Sequence, residues 1–188
     1  MTANEALELR SPRLCLRRLR PEDAPSLVGY RSLPEVARFQ AWESFGSDEA
    51  ARLIAAQAEV VPDTPGTWLQ LALVSRESGQ LVGDCGIHFR GDDPRQVELG
   101  ITLAPAHQRS GLATEALHSV LGYVFDALAK HRALAVTDAN NQAAASLFHR
   151  LGFRLEAHYV EHVWFKGAWG SEYLIALLHR ERRARGRL

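Results

Sequence analysis

The stretch from Val97 to Ala116, VELGITLAPAHQRSGLATEA, restricts the fold more than any other part of the chain. Val97, Leu99, Ile101 and Leu103 alternate with Glu98, Gly100 and Thr102, the period of two expected of a strand with one face on a core. Pro105 ends that ladder, because it has no N–H to give a neighbouring strand. From Gly111 onward Leu112, Ala116, Leu117, Val120, Leu121, Val124 and Leu128 recur at helical spacing and predict a helix over 111–129 with one buried stripe. Between the two lies Gln108-Arg109-Ser110-Gly111-Leu112-Ala113. Two readings of this turn stand side by side. Unpaired amides of the first helical turn and the positive end of the helix dipole make an anion site, with Gly111 and Ala113 allowing close approach and Arg109 adding charge. An ordinary helix start capped by Ser110 gives the same pattern. The turn carries neither the G-x-G-x-x-G dinucleotide fingerprint nor the G-x-x-x-x-G-K-[ST] P-loop.

A second strand, Ala133 to Thr137, runs through Asp138-Ala139-Asn140-Asn141 into a helix expected over 142–151, with Gly152 at the left-handed C-cap position. Earlier, a strand from Leu14 to Leu19 precedes a helix opened by Pro21 and ending near Arg31, and Ser47-Asp48-Glu49 starts another that reaches about Val61. Further strands read Trp68 to Val74, Leu81 to Phe89, Phe153 to Val163 and Tyr173 to Leu178, the first two joined by a hairpin at Arg76-Glu77-Ser78-Gly79. The expected outcome is an α/β (α+β) architecture: a mixed, mostly antiparallel sheet of about seven strands with helices on both faces.

At 188 residues and 46% hydrophobic, the chain has enough apolar material for one well-buried core, so one domain over 1–188 is expected. Lys plus Arg and Asp plus Glu both number 22, which leaves no global field to draw the chain to nucleic acid or an anionic membrane. The start MTANEALELRSPR lacks the basic residues and apolar run of a signal peptide, and a cytoplasmic protein, monomer or homodimer, is expected. Cys15 and Cys85 sit in apolar runs without ligand spacing and are expected to be reduced. The eight histidines are scattered, so no metal is expected. The basic segment 180–188 reads as a solvated terminus, with an RNA-binding arm as the alternative.

The hexapeptide at 108–113 fits the Q/R-x-x-G-x-G/A pyrophosphate loop, and Asn141 followed by Leu151-Gly152-Phe153 fits a second signature of the same family. With Arg13 to Arg17 before Pro21-Glu22-Asp23, and Phe165-Lys166-Gly167-Ala168-Trp169 before Tyr173, the chain resembles the GNAT superfamily of N-acetyltransferases, in its ribosomal-protein N-terminal acetyltransferase (RimJ/RimL-like) branch. The resemblance implies a single GNAT-type domain with two splayed central parallel strands. It implies acetyl-CoA as co-substrate, its pyrophosphate on Gln108, Arg109, Ser110, Gly111, Leu112, Ala113 and Thr114. The pantetheine arm would follow Ile101, Thr102 and Leu103, with Asn141, Ala144 and Phe148 beside it.

Transfer would be direct attack by an amine, driven by positioning and by backbone N–H groups near Thr102 and Leu103 that face the developing oxyanion. A lysine amine is free in only about 0.04% of molecules at pH 7 and an α-amine in roughly 10 to 15%, so a weakly basic acceptor asks less of the site. Partners follow: a peptide N-terminus, a ribosomal protein or a small amine. Glu98 is the candidate base and His88 the alternative. Where many relatives have a Tyr that protonates the leaving thiolate, this chain has Phe148, and Ser146 is the nearest stand-in. A thiol pKa near 8.5 makes an unassisted thiolate cost only roughly 2 kcal/mol at pH 7. The loss of that acid leaves an acyl-CoA-binding sensor as the competing reading. Phe39, Trp42, Phe45 and the segment 164–169 are expected to contribute to the acceptor surface, while core packing explains any single one of these aromatics at least as well.

Overall fold

Eight strands join in one sheet in the computed structural model, which describes residues 7–184. They are β1 (Glu8–Arg10), β2 (Leu14–Arg18), β3 (Thr67–Ser75), β4 (Leu81–Phe89), β5 (Gln96–Leu103), β6 (Arg132–Asp138), β7 (Arg154–Phe165) and β8 (Ala168–Leu178). Across the sheet the order is β1-β2-β3-β4-β5-β6-β8-β7. Every neighbouring pair is antiparallel except β5 and β6. The helices are α1 (Ala24–Arg31), α2 (Pro34–Ala37), α3 (Ser47–Ala58), α4 (Leu112–Gly122), α5 (Gln142–Arg150) and α6 (His179–Ala184).

The period of two sorts the strand residues onto two cores. Leu69, Leu71 and Leu73 of β3, Cys85, Ile87 and Phe89 of β4, and Val97, Leu99 and Leu103 of β5 pack with Leu117, Val120 and Leu121 of α4 and Leu147 and Phe148 of α5. On the opposite face Ala72 and Val74 meet Leu27 and Tyr30 of α1 and Ile54 of α3. Helices on both faces and mixed strand directions match the expected architecture; the eighth strand is β1, too short for alternation to register. Cys85 is buried and Cys15 half-buried, both as free thiols. The helix expected over 111–129 leaves α geometry at Gly122 and continues as a wider π turn over Tyr123–Ala127, in which Val124 and Phe125 both stay buried. The basic segment is not wholly solvated: Arg182 donates to Asp126 at 2.9 Å, and Glu181 accepts the Leu178 N–H at 2.9 Å, which fixes α6. Its residues 185–188, like the first six of the N-terminal segment, lie outside the described residues. Among the described residues no helix is long and apolar enough to cross a membrane.

Asp84, on β4, is 1% exposed, and a buried carboxylate needs partners. Arg31 supplies two contacts, at 2.6 and 3.0 Å, and the Tyr30 hydroxyl and Gln70 amide also donate to it. Burial, then the charge of Asp84, pushes the Tyr30 phenol far above its ordinary value. The Arg31 guanidinium lies 4.5 Å from the Trp42 ring and 5.0 Å from the Phe45 ring, while its carbonyl accepts the Trp42 indole N–H at 3.0 Å. One ionic cluster therefore holds the chain between α2 and α3 against the sheet.

Candidate active site

β5 and β6 run together only from Gln96↔Arg132 to Glu98↔Leu134. Beyond that point β5 stays on β4 as far as Gly83↔Leu103, and β6 stays on β8 as far as Asp138↔Glu172, so a notch opens between them. The backbone alternation of an antiparallel ladder says what faces the notch. Ala104 N–H donates to the Val82 carbonyl (3.0 Å) and Arg90 N–H to the Gln96 carbonyl (3.3 Å), so the even-numbered residues of β5 spend their peptide groups on β4. Ile101 and Leu103, beyond the last β5–β6 pair, turn theirs to the open side, where the Gln108 side-chain amide already donates to the Leu103 carbonyl at 3.0 Å. Of the two positions named for the oxyanion, Thr102 gives its N–H to the β4 ladder, while Leu103, with Ile101, faces the notch. The Thr102 hydroxyl accepts from Gln40 at 3.2 Å.

Two cavities share walls along this notch. The inner one, about 270 Å³, lies between Leu99 to Ile101 and Val136 to Asp138. The outer one, about 460 Å³, follows Ile101, Thr102 and Leu103 to Gln108, Arg109, Gly111, Ala113 and Thr114, with Ser146 and Arg150 of α5 opposite. Phe39, Gln40, Ile101, Asn141 and Ala144 line both, so they form one trough.

At the outer end Gly111, with φ +82°, is the N-cap of α4, and no side chain caps the helix. The Ser110 hydroxyl instead donates to the His107 carbonyl at 2.6 Å, which removes the ordinary-cap reading. The first-turn amides of Leu112, Ala113 and Thr114 have no intrahelical acceptor. Arg109 adopts φ +58°, a conformation that costs a non-glycine residue about 1 kcal/mol or more. The back of the turn is tied down: Arg13 donates to the Ser110 carbonyl (2.9 Å) and to Glu115 (2.7 Å), which also accepts the Arg13 N–H (2.7 Å) and the Ser11 hydroxyl (2.6 Å). Burial pushes the Glu115 carboxyl up, but the bonds from Ser11 and Arg13 outweigh it and hold the group below its ordinary 4.5. A depressed folded pKa gives stability that is present above 4.5 and lost as pH falls through the folded value. The Tm difference between the wild type and Glu115→Gln is accordingly expected to be full at pH 7 and to shrink below about pH 4 in thermal scans.

Asn141 caps α5, its Oδ1 accepting the Ala144 N–H at 3.1 Å, which fixes the edge of the trough. Phe148 is 2% exposed and packs on Phe153 with ring centroids 5.1 Å apart, so it serves the core as well as the inner cavity. Ser146 lines the outer cavity but not the inner one. Glu98 and His88 face each other across β4 and β5 with Oε2 and Nδ1 3.7 Å apart, and the His88 ring stacks on Trp68 at 4.8 Å. Neither lines either cavity. They stand at the closed end of the notch, about 7 Å along the strand from Gly100, the next residue on their face.

The far wall of the inner cavity was foreseen only in part, through Phe39 and the segment 164–169. Lys166, in the β7–β8 turn, donates to the carbonyls of Ala37 and Trp42, both at 2.7 Å, and so brings Phe165 and Val163 opposite Phe39 and Gln40. Asp138 and Glu172 add two carboxylates, the second 2.7 Å from His162. No motif marked Val163 or Glu172, which lie within β7 and β8. Of the aromatic residues expected to contact an acceptor, Phe39 and Phe165 line the cavity. Trp42 and Phe45 instead pack under Arg31, because its cationic face needs covering where water is excluded. Trp164 and Trp169 meet edge-on at 5.5 Å on the exposed side of the hairpin.

A sequence profile of the acetyltransferase (GNAT) domain matches residues 13–154. The uncharacterized N-acetyltransferase YoaA of Bacillus subtilis is 29% identical over 160 residues, which cover 85% of this chain and 89% of that protein. Among solved structures, an acetyltransferase (GNAT family) from Bacillus anthracis superposes with a TM-score of 0.84 at 20% identity, over 93% of this chain and 100% of its own. Spermidine N-acetyltransferase from Vibrio cholerae, in complex with CoA and spermine, superposes with 0.78 at 21% identity, over 92% and 99%.

Proposed function

Because the chain belongs to the GNAT family of N-acetyltransferases, enzymes that use acetyl-CoA, we propose that it acetylates a primary amine presented as a protein N-terminus or a small amine. The observation that carries this reading is the open edge of β5 leading straight to an uncapped helix start. The donor set fits acetyl-CoA at both ends. Leu112, Ala113 and Thr114 offer amides to a pyrophosphate, with Arg109 and Arg150 adding positive charge, while Ile101 and Leu103 offer an extended pantetheine arm the partners a missing strand would have. Bound there, acetyl-CoA supplies an activated acyl group at the inner cavity.

The protein's part is positioning and charge. The Ile101 N–H, turned into the notch, stabilises negative charge developing on the acyl oxygen. Asp138 and Glu172 attract a cationic amine to the cavity, where it must lose a proton before it can attack. Glu98, at the closed end of the notch, takes that proton through water. Glu98→Gln is expected to keep acetyl-CoA affinity and to lower kcat/KM about a hundredfold. Unchanged kinetics would remove Glu98 from the mechanism.

Phe148 supports a second reading, a sensor that binds acyl-CoA without turning it over. Release of free thiol from acetyl-CoA across a panel of N-terminal peptides, polyamines and small amines decides between them. Turnover with any panel member supports the transferase and names its acceptor. Silence across the panel, with acetyl-CoA bound in calorimetry, supports the sensor.

A further inference from the structure

Thr137 lies on β6, on the face it shares with buried Ala133 and Ala135, and is 8% exposed. Its Oγ1 is buried and has no hydrogen-bond partner among the described residues. A buried hydroxyl without a partner is costly, and strand propensity alone does not require one, since valine has the same shape. The residue lines the inner cavity beside Phe148, where many relatives carry a phenol. Among the described residues, the charged ones lining that cavity are Asp138 and Glu172, both of which oppose a departing anion. Two side-chain amides also line it: that of Gln40 already donates to Thr102, while Asn141 is held at the start of α5 by its Oδ1, which accepts the Ala144 N–H.

We infer that the Thr137 hydroxyl donates a hydrogen bond to the sulfur of coenzyme A as the thioester breaks, and so takes over charge stabilisation at the position where this chain lacks an acid. The inference rests on the acetyltransferase reading above. In the step it serves, the amine nitrogen forms a bond to the acyl carbon and the C–S bond breaks with its electron pair going to sulfur. The amine's proton leaves to the base, and the sulfur then takes one proton from solvent, giving amide and thiol. Thr137 keeps its own proton throughout. The role needs only a donor and not an acid, which a hydroxyl of very high pKa can fill.

Thr137→Val keeps the shape and removes the donor; Thr137→Ser keeps the donor. Two readouts separate this role from packing. With the acceptor found by the panel, Thr137→Val is expected to lower kcat tenfold to about a hundredfold with KM for acetyl-CoA within about twofold, and Thr137→Ser to restore most of the rate. Independently of any acceptor, the thiolate absorbance of free coenzyme A bound to each protein is followed against pH. The bound thiol is expected to titrate at higher pH in Thr137→Val than in the wild type or Thr137→Ser. Coenzyme A bound with equal affinity but titrating identically in all three proteins overturns the inference and leaves the acetyltransferase reading intact. Failure of the wild type to bind coenzyme A overturns that reading, and the inference with it.

Discussion

Gly111→Val is expected to weaken acetyl-CoA binding by at least about a hundredfold in calorimetry while leaving the far-UV spectrum unchanged. Two effects add. Gly111 sits at φ +82°, a region where a β-branched residue is strained by about 1 to 3 kcal/mol, so the turn would relax away from the geometry that aims its amides at one point. A Cβ there would also stand 3.4 Å from the Arg13 guanidinium, the group that ties the back of the turn to Glu115. Strain alone is worth roughly a factor of 5 to 150, and losing aligned amides on a doubly charged ligand adds to it. An affinity within a factor of three of wild type would separate the turn from the cofactor.

The second large effect is on stability. Asp84→Leu leaves Arg31, 6% exposed, without its carboxylate in the protein interior. Breaking one side of such a pair costs about 3 to 5 kcal/mol, and at roughly 2 to 4 °C per kcal/mol for a chain of this size Tm is expected to fall by about 6 to 20 °C. The double variant Asp84→Leu with Arg31→Met removes both charges and is expected to be the more stable of the two, because no uncompensated ion remains. Since Arg31 also seats Trp42, either variant is expected to raise KM for the amine more than for acetyl-CoA. Equal thermal stability of Asp84→Leu and wild type would mean that water reaches the site.

The cofactor side of the trough was legible because its determinants are local. Alternation from Val97 to Leu103, the stop at Pro105 and the glycine at position 111 lie within fifteen residues, and each sets backbone geometry by itself. The acceptor side was not, since it is made by contacts that no window spans. Lys166 reaches carbonyls 129 and 124 positions earlier, and Arg31 finds Asp84 53 positions later. Sequence left Trp42 and Phe45 between an acceptor surface and the core for the same reason: an aromatic residue reads the same whether a substrate or a buried guanidinium lies against it. The direction of the Thr102 amide was equally hidden, because side-chain alternation says which face a residue takes and not which neighbour its N–H meets.

The parting of β5 from β6 leaves a raw strand edge in the middle of a sheet, the kind of surface that elsewhere invites pairing with a second chain. Here the edge is walled by α5 on one side and by the latched segment from Phe39 to Trp42 on the other. The same walls that shape the trough thus cover the unfinished edge, one of the ways in which natural sheets protect an unpaired strand.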